Sequence, residues 1–330
     1  MILLVAVQPP IVLLHGVTAS ASSMDKMQQW LEQENFVVFN CEIGNGAQNS
    51  INMPISWQAE QLALCIESHK DIQNGFIGVG HSQGGMIMRY YLQMLSHNSV
   101  KMLRLITLAS PLAGYFCKGK EDCTLGLTAI SPNLIYLEGI QNTLAPTNYW
   151  RDPTAYDKYV KGALALPVIN NEREFSQQVK TNFMSIDKLV MFASPKDEII
   201  RPWQSSFLGF FKNGSSTEIV DMEHTDVYLQ DLYGLKTMNE QGRIVKIEVD
   251  SLHSEYNNNQ IFVQGDLARQ LRMDNQQQTS LSTGAIVGII LAVITVIFSI
   301  ILIAILIAKQ MKKQVKAKLA KEIETIQLAI

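Results

Sequence analysis

The stretch Phe76-Ile77-Gly78-Val79-Gly80-His81-Ser82-Gln83-Gly84-Gly85-Met86-Ile87-Met88-Arg89-Tyr90-Tyr91-Leu92 limits the fold more than any other part of the chain. An apolar run ends at a glycine, His-Ser-Gln sits between glycines, and an amphipathic run follows. Gly80 to Gly84 fits G-x-S-x-G, a turn joining a strand to a helix. The turn is so tight that side chains at Gly80 and Gly84 would strike neighbouring backbone. It predicts a strained serine that lifts its hydroxyl clear of the sheet edge. It also sets the N–H of Gln83 at a helix N-terminus, where a developing oxyanion is stabilised. Ser82 is therefore the candidate nucleophile and Gln83 a candidate backbone donor. The motif alone occurs by chance; the strand before it and the helix after it give it weight.

The flanking sequence alternates in the same sense. Ile11-Val12-Leu13-Leu14 reads as a buried strand bounded by Pro and Gly, and runs into His15-Gly16-Val17-Thr18. A loop after an early strand supplies the second oxyanion donor in such enzymes, which points to the N–H of Val17. Helices are predicted over 23–34 and 55–69, and strands over 36–39 and 102–110. This rhythm predicts an α/β fold of the α/β-hydrolase type, with a mostly parallel sheet covered on both faces. From Pro111 to about 186 the rhythm stops. Scattered apolar residues there, among them Phe116, Ile135, Tyr149 and Trp150, predict a helical cap insertion over the sheet edge. Most of them would pack the cap itself, and some could line a groove for an acyl chain.

The sheet resumes at Lys188–Ala193. Asp197, in the loop just past this strand, takes the position of a triad carboxylate, with Glu198 as its nearest rival. Residues 218–220 and 243–249 read as further strands, the second with the alternation of an edge position. His253 follows. The order Ser82, Asp197, His253 is that of α/β-hydrolases. His224 is the competitor for the base, although it precedes the last strand. His81 reads as the variable residue of the elbow.

A net charge of −3 gives no reason to expect a nucleic-acid partner. No Cys/His cluster has metal-ligand spacing, so no metal is expected, and acyl transfer to a serine needs no organic cofactor. Of the four cysteines, Cys117 and Cys123 would close a small polar loop as a disulfide in an oxidising compartment, or stand as free thiols. Cys41 and Cys65 either pair or are buried thiols. Asn213-Gly214-Ser215 is a glycosylation candidate at Asn213.

Residues 1–7 read as a short signal peptide and 8–270 as the hydrolase domain, with its cap insertion at about 111–186. A polar linker covers 271–284. Residues 285–308 are uncharged and apolar, the expectation for one C-terminal transmembrane helix. The Lys-rich tail, 309–330, would then lie in the cytosol by the positive-inside rule. This predicts a single-pass membrane protein of the lysosome or another endomembrane, with a lumenal catalytic domain. Gly284 and Gly288 have the small-residue spacing of a weak homodimer.

The residues resemble those of the palmitoyl-protein thioesterases, lysosomal α/β-hydrolases that remove long-chain acyl groups from cysteine thioesters. The resemblance covers about 11–262. It rests on Leu14-His15-Gly16-Val17, the elbow and the Cys117–Cys123 loop. It continues through Tyr149-Trp150-Arg151-Asp152-Pro153, Ile169-Asn170-Asn171-Glu172-Arg173, Phe207-Leu208-Gly209-Phe210-Phe211 and the run from Tyr228 to Lys236. Tyr-Trp-x-Asp-Pro and Ile-Asn-x-Glu-Arg are more specific than the elbow, because generic hydrolases lack them. The resemblance implies Ser82 as nucleophile, His253 as base, Asp197 as its orienting acid, and Val17 and Gln83 as oxyanion donors. It implies an S-palmitoylated protein or peptide, or another fatty acyl thioester, as substrate. Two departures stand out: the family has Asp directly before the histidine where this chain has Leu252, and its members usually lack an anchor. Acyl-CoA or lipid thioesterase or lipase activity is the alternative on the same scaffold, and a catalytically inactive membrane-anchored binding protein is the alternative from another class.

Overall fold

The computed structural model describes residues 8–118, 123, 134–273, 307 and 309–314. The chain divides into two units, Met1–Met273 and Asp274–Ile330. In the first, six parallel strands form the main sheet. β1 (Ile11–Leu14), β2 (Val38–Cys41), β3 (Phe76–His81), β4 (Met102–Leu108) and β5 (Leu189–Ala193) are joined at the far edge by β8 (Ile244–Glu248). The order is β2-β1-β3-β4-β5-β8. β6 (Phe210–Phe211) and β7 (Ile219–Val220) pair antiparallel in a separate two-stranded sheet, so the strand expected at 218–220 lies outside the main one.

Strand periodicity sorts the core into two faces. Val12, Leu14, Leu105, Leu189 and Met191 pack in one cluster with α3 (Ile55–Ser68) and α4 (Gln83–Met94), which contribute Ile55, Leu62, Ile66, Met86 and Ile87. Ile11, Leu13, Ile77, Val79, Ile106, Leu108, Val190 and Phe192 pack in the other. There they meet Met27 and Leu31 of α1 (Asp25–Gln33) and Phe262, Val263 and Leu267 of the helical residues 260–271. Covering on both faces explains why β1 and β5 read as unbroken apolar runs and are buried throughout. β8 has one neighbour; its polar residues Lys246 and Glu248 are exposed, and its apolar Ile244, Val245 and Ile247 are partly buried.

β2 begins two residues later than its apolar run suggests. Its register with β1 carries it on to Cys41, which pairs opposite Leu14 and bonds to Cys65 of α3. The apolar sequence marks burial, but the ladder sets the ends of the strand.

The insertion between β4 and β5 contains short helices that include Glu138–Gln141, Tyr156–Gly162, Leu166–Ile169 and Gln177–Phe183. Phe116, Ile135, Tyr149 and Trp150 are buried within it, whereas Leu137 is exposed. Residues 119–122 and 124–133 lie outside the described residues. Arg89 of α4, fully buried, ties the insertion to the elbow helix. It donates to the carbonyl of Leu112 at 2.8 Å and to Asn170 Oδ1 at 2.6 Å, and its guanidinium lies 4.4 Å from the centroid of the Tyr233 ring.

The expected transmembrane helix over 285–308 is corrected. Among the described residues no helix is long and apolar enough to cross a membrane. The helical residues described beyond 273 are 307 and 309–314, an exposed stretch carrying Lys309, Lys312 and Lys313, far short of the roughly 20 apolar residues a crossing needs. The rest of the expected span lies outside the described residues. The single-pass membrane localisation, with its lumenal domain and cytosolic tail, is corrected by the same finding. The signal expected at 1–7 and the spacing of Gly284 and Gly288 also lie outside the described residues.

Candidate active site

β3 ends at His81, α4 starts at Gln83, and Ser82 is the single residue between them. Its φ of 56° and ψ of −127° lie in a region that L-residues seldom adopt. The surroundings hold it there. The Ser82 N–H donates to the carbonyl of Leu108 on β4 at 2.8 Å. A Cβ on Gly84 would come within 2.4 Å of the Leu14 carbonyl oxygen, so glycine lets α4 start flush against β1. The backbone N–H of Gln83 thus stands in the first turn of a 12-residue helix, where the dipole favours negative charge. The Gln83 side chain is buried in a separate network, donating to the Ser50 carbonyl at 2.7 Å and accepting from the Tyr149 hydroxyl at 3.0 Å.

The loop after β1 presses against the same serine. A Cβ on Gly16 would fall 2.8 Å from Ser82 Cβ and 3.3 Å from its Oγ. Val17 follows directly. His15 is buried behind the loop, with its Nε2 2.8 Å from Glu42 Oε1 and its Nδ1 2.9 Å from the Gly16 carbonyl. Gly16, Val17, Ser82 and His253 line one cavity of about 700 Å³, to which the insertion contributes Leu144 and Pro146. That size suits a small-molecule site.

Asp197 and His253 are both buried. Asp197 Oδ2 lies 2.9 Å from His253 Nδ1. Its other oxygen accepts the N–H groups of Ile199 and Ile200, both at 2.9 Å. A carboxylate so engaged accepts from the imidazole, which places the proton on Nδ1 and leaves Nε2 as the basic nitrogen. Glu198, the rival acid, takes a different position: its Oε2 accepts the backbone N–H of His253 at 2.9 Å. His224 is exposed and does not line the cavity. Leu252 is 44% exposed and does not line the cavity.

His81 is a contact that the sequence did not signal. Its Nε2 donates to the His253 carbonyl at 2.8 Å, its Nδ1 accepts from Asn257 Nδ2 at 3.2 Å, and its ring centroid lies 4.9 Å from that of His253. Burial, reinforced by the neighbouring His253, pushes its pKa down to about 3. Asn213, the glycosylation candidate, lies between β6 and β7 and donates to Asp226 at 2.8 Å. Both cysteine pairs, Cys41–Cys65 and Cys117–Cys123, are bonded. Among the described residues no His/Cys/Asp/Glu group could hold a metal ion.

A family model described as palmitoyl protein thioesterase matches residues 10–253. Palmitoyl-protein thioesterase 3 of Dictyostelium discoideum is 31% identical over 77% of this chain and 88% of that protein. Lysosomal thioesterase PPT2-B of Xenopus laevis is 32% identical over 76% of this chain and 88% of its own length. Among solved structures, the lin2722 gene product of Listeria innocua is similar at 16% identity, with a TM-score of 0.42 over 81% of this chain and 96% of that one. That similarity is too remote to carry an argument. The family match spans the elbow, the loop of Val17 and both Asp197 and His253, so the chain belongs to the palmitoyl protein thioesterase family.

Proposed function

We propose that the protein hydrolyses long-chain fatty acyl thioesters on S-acylated cysteines of proteins or peptides through a covalent acyl-serine intermediate. The observation that carries this reading is the bond from His253 Nδ1 to Asp197 Oδ2, on a histidine sharing one cavity with the strained Ser82.

His253 Nε2 takes the proton of the Ser82 hydroxyl as its oxygen attacks the thioester carbonyl. Asp197 holds the imidazole in the tautomer that leaves Nε2 free. The N–H groups of Val17 and Gln83 stabilise the tetrahedral oxyanion, at about 3 kcal/mol per donor in comparable sites. The cysteine thiolate leaves and takes up the proton from His253. Water then attacks the acyl-serine with the same base, and the fatty acid departs. The chemistry calls for no metal, and the acyl chain brings its own binding energy, about 0.8 kcal/mol per buried CH₂. Leu144 and Pro146 bring apolar surface of the insertion into the cavity of Ser82, which suits the start of an acyl groove.

A broader thioester hydrolase, acting on acyl-CoA or lipid thioesters, is the second reading. It is favoured by the relatives whose names say lysosomal thioesterase without naming a protein substrate. Turnover of S-palmitoyl peptide, palmitoyl-CoA and an oxygen-ester analogue by one preparation separates the two. A preference for the peptide supports the first, and a preference for palmitoyl-CoA the second. Dominant oxygen-ester cleavage with no thioester turnover contradicts both.

A further inference from the structure

The variable position of the elbow is occupied here by a histidine with a defined partner. We propose that His81 is a positioning residue for the base, fixing the main chain of His253 through its carbonyl oxygen.

The hydrogen-bond chain has one consistent assignment of protons. The His253 carbonyl can only accept, so His81 Nε2 must carry the proton in their 2.8 Å contact. As burial keeps the ring neutral, Nδ1 is then the acceptor, and the atom facing it at 3.2 Å must be the amide nitrogen of Asn257. Asn257 is buried and lies four residues beyond His253. The result is a relay from Asn257 through His81 to the carbonyl of His253, anchored on β3 next to the nucleophile.

His253 needs such support. It stands after β8, among turn residues rather than within a strand or helix. A turn does not fix its own backbone, yet the imidazole must meet a serine held between β3 and α4. Three contacts from two other elements supply the constraint. Glu198 takes the N–H, His81 gives to the carbonyl, and Asp197 takes the ring proton. Asp197 and Glu198 come from the loop after β5, whereas His81 is the last residue of β3, directly before Ser82. His81 therefore ties the base directly to the nucleophile's own strand, one residue away. A shift of about 1 Å in reacting groups can cost about 100-fold in rate, so this tie acts on kcat.

The inference rests on the assignment of His253 as base. It is tested by steady-state kinetics on an S-palmitoyl peptide with His81→Phe, which keeps a ring and removes the donor, and His81→Gln, which keeps a donor. His81→Phe should lower kcat by about 10- to 100-fold with KM within about threefold, and His81→Gln should recover most of the loss. A kcat for His81→Phe within threefold of the unmodified protein overturns the inference. So does a Gln variant as slow as the Phe variant. Should the Phe variant fail to fold, Asn257→Leu decides: it leaves His81 in place and frees its ring, and an unchanged kcat there overturns the inference. Serine labelling of His253→Ala separates this failure from that of the underlying assignment. Full labelling of that variant removes His253 as base, whereas lost labelling with a fast His81→Phe removes only the role of His81.

Discussion

Asp197 Oδ2 and His253 Nδ1 meet at 2.9 Å although 56 residues of chain separate them. They come from the loops that follow β5 and β8, neighbours in the sheet. A parallel sheet brings the C-terminal ends of all its strands to one edge, and that edge is where such folds place their sites. The acid is itself constrained, because its second oxygen is held by the N–H groups of Ile199 and Ile200.

Asp197→Asn should leave the fold intact and reduce kcat by about 10⁴-fold, as the analogous change does in a serine protease triad, because the amide favours the wrong imidazole tautomer. Steady-state kinetics with a melting curve checks this. Glu198→Gln, by contrast, preserves an acceptor for the His253 N–H and should cost less than tenfold in kcat, a loss of under about 1.4 kcal/mol in barrier.

Gly16→Ala places a methyl group 2.8 Å from Ser82 Cβ and 3.3 Å from its Oγ. The loop carrying Val17 must move back, and its N–H with it. A fall in kcat of about 100- to 1000-fold is expected, the range for loss of one oxyanion donor. The rate of covalent labelling by a fluorophosphonate should fall in parallel.

The buried, neutral His81 makes folding sensitive to acid. Its pKa is about 3 in the folded protein against 6.5 unperturbed. Between these values the unfolded chain takes up the proton and the folded one does not. This penalty is absent above pH 6.5 and grows as the pH falls towards 3, by up to about 1.4 kcal/mol per pH unit. Urea unfolding of the protein and of His81→Gln at pH 7, 6, 5 and 4 measures it. The variant should lose less stability on acidification.

The Cys41–Cys65 bond joins residues 24 apart, tying the edge strand β2 to α3. In the loop-entropy account such a bond stabilises by about 3 kcal/mol. Replacing both cysteines by alanine should lower stability by roughly that amount and leave the kcat of the folded fraction unchanged, since neither residue lines the cavity of Ser82. Chemical denaturation and titration of active serines give the two quantities.

The elbow, the strands of the main sheet and the candidates Ser82, Asp197 and His253 could be picked out because each leaves a local trace. Glycines mark the turn, apolar runs mark buried strands, and chain order marks the candidate acid and the candidate base. What was not legible depends on long-range contacts. His81 gave no signal, because its partners Asn257 and the His253 carbonyl lie 176 and 172 residues away. Glu198 stayed the nearest rival of Asp197 in the sequence, since the two are adjacent and the turn decides which carboxylate reaches the imidazole. The pairing of Cys41 with Cys65 waited on the register of β2. The apolar segment at 285–308 drew a membrane helix from composition alone, and no such helix is found among the described residues.

Covalent labelling of Ser82 tests the central claim most directly. The protein, Ser82→Ala and His253→Ala are treated with a fluorophosphonate probe, the labelled peptide is identified by mass spectrometry, and the same samples are assayed on an S-palmitoyl peptide. The account predicts labelling at Ser82, its loss in both variants, and thioester cleavage only where labelling occurs. A folded protein that takes no label, or thioester cleavage that persists in Ser82→Ala, would contradict it.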